Sequence, residues 1–196
     1  MDNVCSAACR SRRSGPPLRS RAPHAAGFTL IELMVTITVA AILMAVAVPA
    51  FRSFLQNDRL LTEANLLVAS LNLARSEAIK EDADVWVCAS SDGLTCSGVA
   101  NWTQGWIVQL ATGAAPIQVV NALAAGNSLS DPNGHDRITY QSTGLAPLLT
   151  TPAQFTLCDQ RGAAFARYTE VSPFSGRVAS SATPGQNLQG GALTCP

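Results

Sequence analysis

Residues 27–49 read GFTLIELMVTITVAAILMAVAVP, and no other segment constrains the architecture of this 196-residue chain as strongly. The 21 residues from Phe28 to Val48 are almost entirely apolar and contain a single charge, Glu32. As a helix that rises ~1.5 Å per residue, they would extend about 31 Å, enough to cross the hydrocarbon core of a bilayer. We therefore predict a membrane-spanning helix that begins close to Phe28.

Two ordinary explanations of this segment leave features unexplained. A secretory signal peptide has a shorter apolar core, which is followed by a cleavage site of small residues. A simple membrane anchor accounts for the length but gives no reason for Glu32, because a carboxylate within an apolar span costs roughly 3 kcal/mol. Such an acid normally has a function, so Glu32 is a candidate functional residue.

Residues 27–32, with the sequence GFTLIE, resemble the processing site of type IV pilins and of the related pseudopilins of type II secretion. The resemblance implies that a prepilin peptidase cuts after Gly27 at the cytoplasmic face and that the new terminal Phe28 is N-methylated. It also implies that Glu32 and Pro49 correspond to the family's acid and helix-kinking proline. In a filament, Glu32 would pair with the amino terminus of a neighbouring subunit, which lowers the cost of burying both charges.

The net charge of zero conceals an uneven distribution. Residues 1–27 contain five arginines and one acid and so carry +4, whereas residues 28–196 carry −4. Arginines ahead of an apolar span predict a cytoplasmic N-terminus, and hence a C-terminal domain in the periplasm. We expect that processing removes the basic leader. The protein would first reside in the bacterial inner membrane and would then be transferred to a pilus or pseudopilus.

Beyond Pro49 the helical pattern changes from uniformly apolar to amphipathic. Pro49 itself is predicted to kink the helix or break it locally. We predict four segments, a cleaved leader (1–27), a transmembrane or filament-core helix (28–51), an amphipathic helical half (52–82) and a globular β domain (83–196). Apolar residues at helical spacing predict the packing face of the amphipathic half: Phe54, Leu61, Ala64, Val68, Leu71 and Ala78.

The remainder of the chain consists of short β-type runs separated by turns. About seven runs, the sixth over residues 164–171, have the length and flanking residues of strands in an antiparallel sheet or sandwich. A long helix that precedes such strands makes the fold class α+β. The resemblance implies a pilin-like arrangement, with the helix packed on the sheet.

Four cysteines follow residue 27, namely Cys88, Cys96, Cys158 and Cys195. An even number in an exported segment predicts disulfides, and four cysteines allow three connectivities. We favour Cys88–Cys96, which closes a turn, and Cys158–Cys195, which ties the C-terminal tail to a strand. A zinc site is the alternative, but the sequence lacks a Cys-x-x-Cys pair, so we expect no metal and no cofactor.

The sequence contains no recognisable catalytic motif. His135 is the only histidine after residue 27, and no nucleophile or acid stands at a motif spacing from it. Residues 130–136 place oxygen-bearing side chains at alternate positions but lack the full spacing of a calcium loop, which favours a turn. We therefore expect a protein that is not an enzyme.

Several later segments resemble the GspH/FimT family of minor pilins and pseudopilins: 87–93, 101–106, 155–162, 171–178 and 193–196. FimT-like members are associated with DNA uptake through a C-terminal Gly-Arg-x-Arg motif. Gly176 and Arg177 match this motif, but Ala179 stands in place of its second arginine.

Double-stranded DNA is therefore an expected partner, and the affinity for it should be low. Candidate contacts are Arg177, Arg167 and Arg161, since arginines bind phosphates, and Trp102 and Trp106 are candidates for base stacking. Each candidate also has a purely structural explanation. Arg177 would be solvated or paired with an acid such as Glu170, and the tryptophans would belong to the core. The charge of −4 after residue 27 excludes broad attraction to DNA and confines contact to a small patch.

Three functional hypotheses follow from these features. The first is a FimT-like minor pilin whose partners are other pilin subunits and the prepilin peptidase. The second is a GspH-like pseudopilin of a type II secretion system. The third, of a different class, is a receptor whose sheet surface binds a protein or a polysaccharide.

Overall fold

The structure is a computed structural model that describes residues 27–195, so the predicted leader lies outside the described residues except for Gly27. One helix, α1, spans Leu30–Glu81. The chain divides into two compact units between Ala45 and Val46. The first unit includes the start of α1, and the second contains the rest of α1 and all the strands.

Helix α1 is continuous through Pro49, so the predicted local break does not occur. Proline lacks the N–H that would bond to the carbonyl of Ala45, and one missing bond does not interrupt a helix of 52 residues. The helix ends where Asp82 adopts a left-handed conformation with φ of 48°. The N–H of Ala83 then donates to the carbonyl of Ala78 at 3.2 Å, which forms a Schellman cap.

The packing face of α1 differs from the predicted one at its N-terminal end. Leu71 and Ala78 are buried as expected, but Phe54 and Leu61 are exposed. Successive helical residues lie about 100° apart around the axis, so Leu61 and Phe54 lie roughly 120–140° from the centre of the observed face. The residues buried along α1 are Leu60, Leu67, Ser70, Leu71, Ala74 and Ala78.

Eight strands follow the helix. Their bounds are β1 Val85–Ala89, β2 Gly105–Leu110, β3 Gln118–Asn121, β4 Ser128–Ser130, β5 Arg137–Tyr140, β6 Ala153–Cys158, β7 Arg167–Val171 and β8 Val178–Ser180. The sequence did not reveal β4, which has three residues and a single apolar side chain, Leu129. The strand predicted from residue 164 begins later, because residues 163–165 form a short 3₁₀ helix.

The strands form two antiparallel sheets of four strands each. The first sheet has the order β3-β2-β1-β5 and the second has the order β4-β6-β7-β8. In the first sheet Val87 pairs with Val108 and with Ile138. In the second, Phe155 pairs with Thr169. The α+β class and the packing of a long helix on antiparallel sheets are thus confirmed.

The core is formed by one face of each sheet and by the buried face of α1. Trp106 of β2 is fully buried, and its indole N–H donates to the Ser70 hydroxyl of α1 at 3.0 Å. Trp102 packs edge-on against Phe155 with ring centroids 4.9 Å apart. These contacts join both sheets and the helix in a single hydrophobic cluster.

The opposite, outer face of each sheet carries one end of a disulfide. Cys88 of β1 bonds to Cys96, and Cys158 of β6 bonds to Cys195. Strand side chains alternate between faces, and both Cys88 and Cys158 stand next to core residues in their strands, so both point outward. The first bond holds the loop after β1 on one sheet, and the second holds the C-terminal tail on the other.

Candidate functional site

The start of α1 contains the predicted processing and assembly residues. Gly27 and Phe28 precede the helix, and the Phe28 side chain is exposed. Thr29 caps the helix, because its hydroxyl accepts a hydrogen bond from the N–H of Glu32 at 3.2 Å. Thr-x-x-Glu is the sequence of a capping box, a signal that was present in the sequence and could have identified Thr29.

Glu32 lies in the first turn of α1, where the helix dipole favours a negative charge. Within the described residues its carboxylate belongs to none of the ion pairs. The side chain is exposed on a helix surface that is otherwise apolar. The helix end therefore accommodates this charge but does not neutralise it.

The described residues in the first part of α1 present an apolar surface that is not buried. Every residue from Leu30 to Ala50 is exposed, including the large side chains of Leu30, Ile37 and Leu43. The helix is long and apolar enough in this part to span a bilayer, and none of that apolar window is buried. Such a surface is stable only in lipid or against other apolar helices.

The loop that Cys96 closes is organised by a carboxylate. Asp92 accepts hydrogen bonds from the N–H groups of Thr95 and Leu94, at 2.9 and 2.8 Å, and from the Thr95 hydroxyl. The backbone N–H groups of Thr95 and Leu94, together with that hydroxyl, hold the pKa of Asp92 well below its usual range. Asp92 and the disulfide together fix the loop.

The three candidate DNA-contacting arginines do not form one patch. Arg161 forms an ion pair with Asp159 at 2.7 Å, lies over the Phe165 ring and reaches Ser53 of α1. Arg167 shares the inner face of β7 with Thr169 and has a buried Nε.

Arg177 is the exposed member of this set. Its carbonyl accepts from the N–H of Ser172, just beyond the far end of β7. Arg167 and Arg177 are therefore separated by roughly 17 Å along the strand direction, since strands rise ~3.4 Å per residue. The Arg177 side chain forms no ion pair with Glu170 or any other acid in the described residues.

The position of the missing second arginine faces an acid. Ala179 pairs with Glu170 across β8 and β7. Glu170 accepts a hydrogen bond from the Tyr168 hydroxyl at 2.6 Å. An arginine at position 179 would stand beside this carboxylate, so the local charge as well as the alanine distinguishes this chain from the Gly-Arg-x-Arg pattern.

The tryptophans and the segment 130–136 have structural roles. Trp102 and Trp106 are fully buried, so they present no face for base stacking. Asp131 is the hub of the turn. Its carboxylate accepts from the N–H groups of Asn133, His135 and Gln154 at 3.0–3.1 Å.

His135 joins the same hub in a way that the sequence did not reveal. Its Nδ1 contacts Asp131 at 2.5 Å, and its Nε2 lies 3.2 Å from the Thr151 hydroxyl. This order of carboxylate, imidazole and hydroxyl resembles a hydrolytic triad in outline. Both Asp131 oxygens, however, are already bonded to backbone N–H groups, which is the pattern of a carboxylate that holds a turn against β6.

Comparison with known families gives two matches. The family described as Type II transport protein GspH matches residues 63–176, and the prokaryotic N-terminal methylation motif matches residues 23–48. The second match includes Gly27, Phe28 and Glu32. Comparison with curated proteins found no match.

Comparison with solved structures found matches to a type IV minor pilin. FimU of Pseudomonas aeruginosa strain PAO1, in a crystal of space group P21, is 25% identical with a TM-score of 0.53. The match covers 65% of this chain and 92% of that one. A second crystal form of FimU, P65, matches with 22% identity and a TM-score of 0.51, over 62% of this chain and 92% of that one.

Proposed function

This chain belongs to the GspH family of minor pilins and pseudopilins, and we propose that it is a minor pilin of a type IV pilus. Members of this family are pilin-like structural subunits. The observation that carries the choice of a type IV pilus is the likeness to FimU, a type IV minor pilin, over 92% of the FimU chain. A prepilin peptidase and other pilin subunits are the partners that this membership implies.

In the proposed sequence of events, the subunit is first inserted into the inner membrane. The leader keeps the N-terminus cytoplasmic, the apolar part of α1 spans the bilayer, and residues 83–196 fold in the periplasm. Prepilin peptidase then cuts between Gly27 and Phe28, and Phe28 is methylated. The match to the N-terminal methylation motif over residues 23–48 supports this sequence of events.

Glu32 is proposed to guide assembly. Its carboxylate is exposed near the start of an apolar helix and has no ion-pair partner in the described residues. When the helix leaves the bilayer for a filament core, an unpaired charge would be costly to bury. The amino terminus of a neighbouring subunit supplies the opposite charge, and the pair then favours one axial register over others.

The experiment for this proposal uses host cells that lack the gene and carry either the natural protein or Glu32→Ala. The natural protein should appear in sheared surface pili. Glu32→Ala should reach the membrane in equal amount but be depleted from the pili. Glu63→Ala is the control, since Glu63 bonds within its own unit to Ala124 and Asn127.

The alternative is a pseudopilin that serves type II secretion. The same deletion strain separates the two functions. Loss of pili with normal release of exoproteins supports the type IV assignment. Normal pili with blocked exoprotein release would assign the chain to secretion and overturn the proposal.

DNA binding stays a prediction, and it now depends on Arg177 because Arg161 is paired and Arg167 faces inward. Binding of the full chain to duplex DNA should be weak, and Arg177→Ala should reduce the slope of log K against log salt by about one. Arg137→Ala is the matched control, since Arg137 is partly exposed but paired with Asp136. An unchanged slope for Arg177→Ala would remove the proposed contact.

A further inference from the structure

A cavity of about 370 Å³ lies between the outer face of the second sheet and the C-terminal tail. Its volume falls in the range of small-molecule sites, roughly 300–1,000 Å³. The strands contribute Ser130, Gln154, Thr156 and Tyr168, and the tail contributes Asn187 and Thr194. No role proposed for this protein so far uses this cavity.

The tail that covers the cavity is fixed at both ends. The N–H of Gly185 donates to the carbonyl of Ala166 at 2.9 Å, and Cys195 is bonded to Cys158. Between these points the Asn187 carboxamide oxygen accepts from the N–H groups of Gly191 and Gln189, at 2.7 and 3.0 Å. The cavity is therefore preformed, and a ligand would not have to pay for ordering its cover.

The walls present hydroxyl groups that the protein leaves free. Within the described chain the hydroxyls of Ser130, Thr156 and Thr194 form no hydrogen bond to another protein group, although all three line the cavity. Thr156 is only 8% exposed. Its hydroxyl is not one of the buried polar atoms that lack a partner, so this hydroxyl opens toward the cavity, and Thr194 is exposed. A guest can therefore replace water at these donors and acceptors.

The wall carries no charge among its described residues. Tyr168 is its one ionisable side chain, and burial, reinforced by the hydrogen bond to Glu170, raises the pKa of this phenol. Tyr168 is therefore neutral at physiological pH. An anionic guest would lose its hydration and approach the Glu170 carboxylate, which accepts from the Tyr168 hydroxyl, so the site favours a guest without negative charge.

Side chains rather than backbone groups must recognise that guest. The cavity lies on the faces of β6 and β7, which are the two central strands of the second sheet and are hydrogen-bonded on both sides. An extended peptide binds to a free strand edge through main-chain hydrogen bonds. The edge strand at the cavity is β4, whose three residues, Ser128–Ser130, offer little length for such pairing. Hydroxyl and amide side chains instead match a guest that is itself rich in hydroxyls.

We propose that this cavity binds an uncharged saccharide, with the hydroxyls of Ser130, Thr156 and Thr194 and the amide of Gln154 as its hydrogen-bonding groups. The site lies on the domain surface of a subunit that pilus assembly would display to the outside. Saccharide binding does not depend on whether the filament is a pilus or a pseudopilus, so the two proposals can fail separately.

The experiment probes the full chain on an array of neutral and sialylated oligosaccharides, in a zwitterionic detergent that carries no sugar. The affinity for the strongest neutral ligand is then measured for two matched variants. Thr156→Val removes a hydroxyl that lines the cavity. Thr139→Val removes one from a residue that is equally exposed, at 8%, but lies in the first sheet.

We expect binding to one or more neutral oligosaccharides, weakened about tenfold by Thr156→Val and unchanged by Thr139→Val, since one hydrogen bond is lost. Ser130→Ala, at the edge strand β4, should weaken binding in the same direction and provides a second test if Thr156→Val fails to fold. Absence of binding to every neutral sugar would overturn the proposal. So would preference for the sialylated set, or equal weakening by Thr139→Val.

Discussion

The two ends of helix α1 have the same secondary structure but opposite surroundings. Leu43, in the N-terminal unit, is exposed along with every residue around it, whereas Leu71, in the second unit, is completely buried. Between them lies Pro49, where the helix continues without a break. Both segments are helical, although the first is rich in valine and isoleucine and the second is rich in leucine with a single valine, Val68.

The difference lies in where each segment finds its partners. The second unit supplies its own, because both sheets and the buried face of α1 share one core, while the two disulfides lie on the outer faces of the sheets. None of the described residues of the N-terminal unit is buried, so the apolar surface of this part of α1 needs partners such as lipid or the helices of other subunits. Changes in the second unit should therefore alter folding, whereas changes in the first should alter insertion and assembly.

The largest expected effect on folding is loss of the disulfide that holds the tail. The bond between Cys158 and Cys195 closes a longer loop than the bond between Cys88 and Cys96. Loop entropy gives about 3.9 kcal/mol for the first and about 2.6 kcal/mol for the second. Urea unfolding of the two double serine variants should show this order. The reverse order would mean that attachment of the tail contributes less to the stability of the domain than the length of the loop implies.

The next effect compares the same substitution at two positions on one helix. Leu71→Ala should lower the free energy of unfolding by about 3 kcal/mol, because it leaves a cavity in the core. Leu43→Ala should leave that free energy unchanged, since its side chain is exposed. Thermal unfolding of both full-length variants in detergent checks the pair. Equal losses would show that the N-terminal part of α1 belongs to the same cooperative unit.

The sequence predicted the N-terminal unit in most respects, because its features are local. An apolar run, one acid, a glycine and a proline are read directly from residues 27–49, and the helix, its length and its exposed apolar character follow from them. The packing face beyond Pro49 was less well predicted. Phe54 and Leu61 are seven residues apart, but so are the buried residues Leu60, Leu67 and Ala74, and only tertiary contacts select which of these stripes is buried.

The positions of the three candidate DNA-contacting arginines relative to one another could not be predicted for the same reason. Arg161 is held by Asp159 nearby, but also by Ser53, 108 positions away in the chain. Arg167 and Arg177 are only ten residues apart, yet Arg167 is the first residue of β7 and Arg177 bonds to Ser172, just beyond the other end of that strand. The cavity under the tail was also invisible in the sequence, because it requires the second sheet, the register of β6 and β7, and the tail to be known together.

The smallest effect concerns the capping of α1. Thr29→Ala should destabilise the first turn of the helix by about 1 kcal/mol, because the N–H of Glu32 loses its acceptor. Thr36→Ala is the control, since the Thr36 hydroxyl only donates back to the carbonyl of Leu33 inside the helix. Hydrogen exchange at the amides of residues 31–33 should quicken in the first variant alone. Equal rates would mean that Thr29 does not cap the helix.

The N-terminal part of α1 is proposed to be a processed segment whose partners lie outside its own chain. Mass spectrometry of the protein isolated from host membranes and from sheared surface filaments tests this most directly. We predict that both fractions contain a chain that begins at N-methylated Phe28 and that Gly27 and the residues before it are absent. A filament form that retains residues 1–27, or a chain cut at any other position, would contradict the account.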